Sequence, residues 1–178
     1  MAGLLPPLVL LTDDERLAEP LAAARALPRG SMVIARARDA ARRETLARAL
    51  LELSRSRGLR VLVADDAALA ARIGADGLHL PEVHAGEAAH WRALHPGWII
   101  TAAAHARCRA MPQVDAVLLS AVFPTRSHPG RSTLSAVRAN MIAGAMNAPV
   151  YALGGIDARN AALLHGFAGI AAIGALSV

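Results

Sequence analysis

Lysine is missing altogether: all 19 basic residues are arginine. That excludes every mechanism needing a lysine amine for a Schiff base. Cysteine is almost missing. The single Cys108 permits no internal disulfide, and with no CxxC and no evident activating partner it is read as neither nucleophile nor metal ligand. HExxH and GxSxG are absent as well. Aromatic residues supply only 3% of the chain, too few to stack on bases, so the net charge of +5 does not point to nucleic acid. No apolar run approaches the roughly 18 residues of a membrane span. The start, Met1 to Pro7, lacks the basic head and long apolar stretch of a secretory signal. These absences lead us to expect a cytoplasmic protein with no membrane or nucleic-acid partner.

What the chain does contain is aliphatic material, with 54% apolar residues spread over 178 positions. That is the length of one domain, taken here as 1–178, with enough apolar surface for a sizeable core. Short apolar runs begin near Leu8, Met32, Arg60, Gly77, Trp98, Ala116, Val150 and Gly169. VLL, VLV, VLLSAV and GIAAIGAL are continuous rather than alternating, as strands buried on both faces must be. Between most of them lie Ala/Leu/Arg stretches of helical period. The clearest runs from Asp39, an N-cap, to Arg57, before the stop at Gly58. In it Leu46, Leu50, Leu51 and Leu53 share a face, while Arg42, Arg43, Arg48 and Arg55 mostly face away. Strand and helix alternation with right-handed crossovers predicts an α/β fold, a compact (β/α)8 barrel. It is short for a barrel, usually about 250 residues. Only Ala106–Pro112 follow the fifth strand, and the last outer helix is expected to be missing. The apolar flank so exposed would need a cover, for instance a second subunit in a homodimer.

In such a barrel the chemistry sits at the strand C-terminal ends. The first strand ends in Thr12-Asp13-Asp14, and the second in Arg36-Ala37-Arg38, where alternation turns Arg36 and Arg38 the same way. The third ends in Ala64-Asp65-Asp66, the fourth in His79-Leu80-Pro81-Glu82, and the fifth in Thr101 to His105. Phe123 to Gly130 follow the sixth, with Thr125, Ser127 and His128; Gly154-Gly155 follow the seventh and Gly174 the eighth. Basic groups, hydroxyls and glycine turns on one rim suit a phosphate or diphosphate, because guanidinium forks and close backbone N–H groups both grip phosphate oxygens. Other readings stay open. The glycines equally serve tight turns, Asp65 either ligates a cation or caps a helix, a role better suited to Asp66, and His79 is either functional or a satisfied interior side chain. His84, His90, His95 and His165 show no shared ligand spacing.

At these residues the chain resembles the thiamine phosphate synthase/TenI family. The stretches that carry the likeness are Ile73-Gly-Ala-Asp-Gly-Leu-His-Leu80, Leu118-Leu-Ser-Ala-Val-Phe-Pro-Thr125 and Val150-Tyr-Ala-Leu-Gly-Gly-Ile156, in order on the right strands. The resemblance implies a barrel that couples hydroxymethylpyrimidine diphosphate to a thiazole phosphate, with pyrophosphate leaving and Mg2+ assisting. It implies catalytic roles for Arg36, Asp65 and His128, with Asp65 as metal ligand. Substrate and phosphate contacts fall to Arg38, His105, Thr125, Ser127, Gly154, Gly155 and Gly174.

The match is uneven. In the second-strand Gln-x-Arg-x-Lys motif, Arg36 is kept, Arg38 replaces Lys and Ile34 replaces Gln. Of two expected metal carboxylates only Asp65 is present, the other position being His84. The serine before His105 is Ala103, and the basic residue of the Pro-Thr-x-Thr-Lys loop is His128. The Val-Ser pair of the eighth strand is Ile173-Gly174, and the histidine of TenI-type tautomerases falls on Ala121. Losses gather on the diphosphate and metal side. Three functions follow, in this order: a divergent thiamine phosphate synthase; a TenI-like protein that binds or isomerises a thiazole phosphate; a non-catalytic phosphate-binding barrel.

Overall fold

The computed structural model describes residues 5–105, 111–125 and 132–173. Eight parallel strands form a closed ring in chain order. They are β1 (Leu8–Leu11), β2 (Met32–Ala35), β3 (Arg60–Ala64), β4 (Gly77–Leu80), β5 (Ile99–Ala104), β6 (Ala116–Leu119), β7 (Val150–Leu153) and β8 (Gly169–Ala172). The ring shuts where Leu8 pairs with Ile170 and Leu10 with Ala172. Outside it lie α1 (Pro20–Ala26), α2 (Ala40–Arg57), α3 (Ala67–Ile73), α4 (Ala88–Leu94) and α5 (Ser135–Ala145), with short 3-10 turns at Glu82–Glu87 and Ala161–Leu163.

Side-chain alternation splits each strand between two cores. Val9, Met32, Ile34, Leu62, Ala116, Leu118 and Tyr151 point inward and fill the barrel. Tyr151 is fully buried, and its hydroxyl donates to the Pro6 carbonyl at 2.7 Å, so its one polar atom is satisfied. The outward residues Leu10, Val33, Val61 and Val63 pack with Leu50, Ala47 and Leu69 of the helices. Each fully buried leucine of this layer contributes about 2 kcal/mol by leaving water.

The second helix follows its sequence signals. The Asp39 side chain accepts from the Arg42 N–H at 2.8 Å, and Gly58 ends the helix in a left-handed conformation, φ 63°. Leu46, Leu50, Leu51 and Leu53 all pack on the core. Arg43 departs from the expectation that it faces away. Its side chain folds back over the strand ends, donating to the Ala37 carbonyl at 2.9 Å and to Asp66 Oδ2 at 3.1 Å. It lies in the first turn of an outer helix, which begins at the rim, and an arginine stem is long enough to reach back. The sixth strand is shorter than its apolar run, ending at Leu119.

The outer layer is thin at β8, where Ile170 is only partly buried while its counterparts Val33 and Val61 are fully buried. Only a 3-10 turn lies between β7 and β8. The expected absence of a last helix concerns residues that, beyond Ile173, lie outside the described ones.

Candidate functional site

One cavity of about 880 Å3 opens at the strand C-terminal ends. Arg36, Arg38, Asp65, His105, Thr125, Gly154 and Gly155, singled out from seven different positions along the chain, all line it. Ser127, His128 and Gly174 lie outside the described residues.

The wall from β1 to β3 is charged. The Thr12 hydroxyl accepts from the Arg36 N–H at 2.7 Å and donates to the Arg36 carbonyl at 2.8 Å, which locks the end of β2 to the end of β1. Arg36 Nη1 then donates to Asp13 Oδ2 at 2.5 Å. Burial alone would raise the Asp13 pKa. Its hydrogen bond from the Glu15 N–H and the Arg36 and Arg16 guanidiniums outweigh that, holding it below the usual carboxylate range. Arg38 pairs with Glu15 at 2.6 Å, and its N–H donates to Asp14 Oδ2 at 2.8 Å.

At the end of β3, Asp65 holds a positive φ of 51°, which aspartate tolerates better than most residues, and its N–H donates to the His79 carbonyl at 2.9 Å. The helix cap is Asp66, whose Oδ1 accepts from the Leu69 N–H at 2.9 Å. Asp65 is engaged elsewhere: its Oδ1 lies 2.8 Å from His84 Nδ1. That hydrogen bond and the negative charge behind it raise the His84 pKa above its ordinary value. A second pair follows on the same edge, Glu82 Oε2 with His105 Nδ1 at 2.6 Å. His79 is buried, with Nδ1 2.9 Å from Thr101 Oγ1, and also lines the cavity. Burial first, and the Arg36 charge second, lower its pKa to about 4, so it is neutral at pH 7.

The opposite wall is made of backbone. Val122 and Phe123 N–H groups donate to the Leu153 and Gly154 carbonyls, both at 3.1 Å, laying the β6 loop against the β7 loop. Gly155, at φ 65°, sits so close that a Cβ would stand 2.3 Å from the Pro124 carbonyl oxygen. Only glycine fits there. The glycine pair therefore does serve a tight turn, and the same turn brings the loop backbone to the cavity beside Thr125.

Three cavity residues escaped the sequence reading: Arg16, Arg43 and Ser120. Arg16 sits two residues beyond Asp14 in the β1–α1 loop, and Ser120 directly follows the last residue of β6. Counting loop residues next to a strand end would have flagged both. Arg43 shows in sequence only if the first turn of each outer helix is counted as rim.

A divalent cation finds a poor donor set here. The expected second carboxylate is His84, which itself occupies Asp65, and Glu82 is held by His105. Among the described residues no group of three or more His, Cys, Asp or Glu is placed to hold a metal ion.

Fold and cavity together define a (β/α)8 barrel with an arginine-lined pocket at the carboxyl ends of its strands. The profile of the family described as thiamine monophosphate synthase matches residues 8–176, and the chain belongs to that family. It is 37% identical over 145 residues to the thiamine-phosphate synthase of Chromobacterium violaceum, an alignment covering 78% of this chain and 70% of that protein. With the thiamine-phosphate synthase of Chlorobium luteolum it shares 33% over 183 aligned positions, 97% of this chain and 85% of the other. Among solved structures, the thiamine phosphate pyrophosphorylase of Pyrococcus furiosus superposes with a TM-score of 0.72, covering 93% of this chain and 84% of that one. At 24% identity that likeness concerns the fold.

Proposed function

We propose that the protein is a thiamine phosphate synthase-type transferase of thiamine biosynthesis. It joins the methylene carbon of hydroxymethylpyrimidine diphosphate to the ring nitrogen of a thiazole phosphate. The carbon–oxygen bond to the diphosphate breaks, pyrophosphate departs with that electron pair, and the thiazole nitrogen supplies the electrons of the new carbon–nitrogen bond. The observation that carries this reading is the division of one cavity into an arginine wall and a glycine-backbone wall. Two phosphorylated substrates need two anion sites a short distance apart.

In this reading Arg36 and Arg38 receive the diphosphate and stabilise the charge that develops on it as the bond breaks. Thr125, Ser127, Gly154, Gly155 and Gly174 hold the thiazole phosphate. His105 positions substrate from the β5 end, and His128 serves proton transfer. Asp65 faces the pyrimidine end, where its negative charge favours a developing carbocation. The Mg2+ that the family implies does not suit the residues present, since His84 stands where a second carboxylate is expected and Asp65 and Glu82 each have one oxygen on a histidine. The whole chain, 1–178, acts as a single cytoplasmic domain. A homodimer would cover the exposed Val137, Met141 and Leu163 on α5 and the neighbouring turn.

The test is direct: purified protein with both substrates yields thiamine phosphate and pyrophosphate, detected by mass spectrometry. Absence of product at high enzyme concentration refutes the reading. A TenI-like thiazole-phosphate binder is the second reading, favoured by Ala103, which lines the cavity where the resembled synthases carry a serine. It expects thiazole-phosphate binding without coupling.

A further inference from the structure

We infer that this chain neutralises a bound diphosphate with arginine instead of a divalent cation: Arg16, Arg36, Arg38 and Arg43 form the cation set, and His84 holds the carboxylate a metal would need. This deepens the function proposed above and rests on its anion site.

Magnesium asks for oxygen ligands in near-octahedral order and is usually held by one or two carboxylates plus substrate phosphates. Asp65 has Oδ1 2.8 Å from His84 Nδ1, and Glu82 has Oε2 2.6 Å from His105 Nδ1. Each acid on this edge already has a nitrogen partner. One oxygen of each acid is thus taken by an imidazole, which leaves a cation a single oxygen apiece beside nitrogens that magnesium does not favour.

The positive charge comes from elsewhere. Among the described residues, four arginines line the cavity against the one carboxylate of Asp65. They arrive from three segments: the β1–α1 loop, the end of β2 and the first turn of α2. All four are paired with acids that do not line the cavity, Arg16 and Arg36 with Asp13, Arg38 with Glu15 and Arg43 with Asp66. Anchoring fixes each fork while leaving donors over, since a guanidinium has five. Arg43 reaches the cavity from α2, with its guanidinium held on the Ala37 carbonyl and on Asp66. Planar forks match phosphate oxygens in pairs and, unlike a magnesium ion, need no dehydration to do so.

Isothermal titration of the intact protein with inorganic pyrophosphate, in Mg2+ and again in excess EDTA, tests this. The dissociation constants are expected to agree within about twofold. Arg43→Gln should weaken binding about fivefold or more in both buffers. Mn2+ added alone, followed by electron paramagnetic resonance, should show no stoichiometric bound ion in the wild type. His84→Asp, which supplies the second carboxylate, should create one and make pyrophosphate binding stronger in Mg2+. A loss of tenfold or more on chelation, or stoichiometric Mn2+ on the wild-type protein, overturns the inference. Pyrophosphate bound in neither buffer overturns it together with the anion site. Metal-independent binding without any coupling activity upholds it and refutes the synthase reading instead.

Discussion

The two walls of the cavity are built on different principles. From β1 to β3, position is set by side chains. Arg36, Arg38 and Arg43 are each steered by an acid partner, and the hydroxyl of Thr12 pins the strand end beneath them. From β6 to β7, position is set by main chain. Two loops touch through backbone hydrogen bonds, and glycine is the only residue that permits the approach. A wall of side chains shares its work among several groups and so tolerates the exchange of any one of them. A wall of backbone has no spare member, and there the Gly-Gly pair is intact.

The sharpest test of that contrast removes the best-anchored cation. Arg36→Ala takes away the donor proposed to meet the leaving diphosphate and leaves buried Asp13 with only the Glu15 N–H and Arg16 as partners. Steady-state coupling assays should show kcat/KM lowered by about a hundredfold, close to 3 kcal/mol, as for other preorganised donors to a developing anion. A loss below about threefold would mean that the arginine wall does not meet the reacting group.

On the other wall, Gly155→Ala forces a Cβ to within 2.3 Å of the Pro124 carbonyl at a φ of 65°. The loops must part. Urea denaturation should register a loss of about 2–3 kcal/mol, with KM for the thiazole phosphate rising more than that for the diphosphate. Equal rises in both KM values would erase the division of labour between the walls.

His79 also lines the cavity, and its burial, helped by the Arg36 charge, sets its titration. Its folded pKa of about 4 lies below the unfolded value near 6.5, so the unfolded chain takes up the proton first as pH falls. Stability is therefore full above about pH 6.5 and declines toward pH 4, by about 2 kcal/mol at pH 5. Thermal melts of the wild type and His79→Asn across that window should show the acid-side decline flattened in the variant. An unchanged slope would show that the imidazole is not neutral in the fold.

Much of this was legible in the sequence, for identifiable reasons. Buried parallel strands are continuous apolar runs, so seven of the eight expected starts coincide with strands and the other, Trp98, misses β5 by one residue. Alternation is rigid, so Arg36 and Arg38 did reach the same cavity. What escaped depends on reach and on pairing. The periodicity of α2 places the Cα of Arg43 on the outer layer and says nothing of a long side chain folding back over the rim. Spacing gave His84 no role because its partner, Asp65, lies 19 residues away across the β3–β4 crossover and becomes a neighbour only when the barrel closes. Ser120 was hidden inside VLLSAV, since an apolar run does not show where its strand stops.

Arg36 and Arg38 look equivalent in sequence, and the structure separates them. The Arg38 side chain is 74% exposed and its partner Glu15 is 58% exposed, so water screens the pair and both side chains give up conformational freedom to hold it. Arg38→Ala should therefore change folding stability by less than about 0.5 kcal/mol in urea denaturation. Its effect on the diphosphate should be uniform attraction rather than a contact reserved for the moment of bond breaking. KM should rise a few-fold with kcat nearly unchanged, and raising the salt concentration should shrink the difference between wild type and variant. A fall in kcat as large as that of Arg36→Ala would place Arg38 at the leaving group and make the outer edge of the wall as specific as its base.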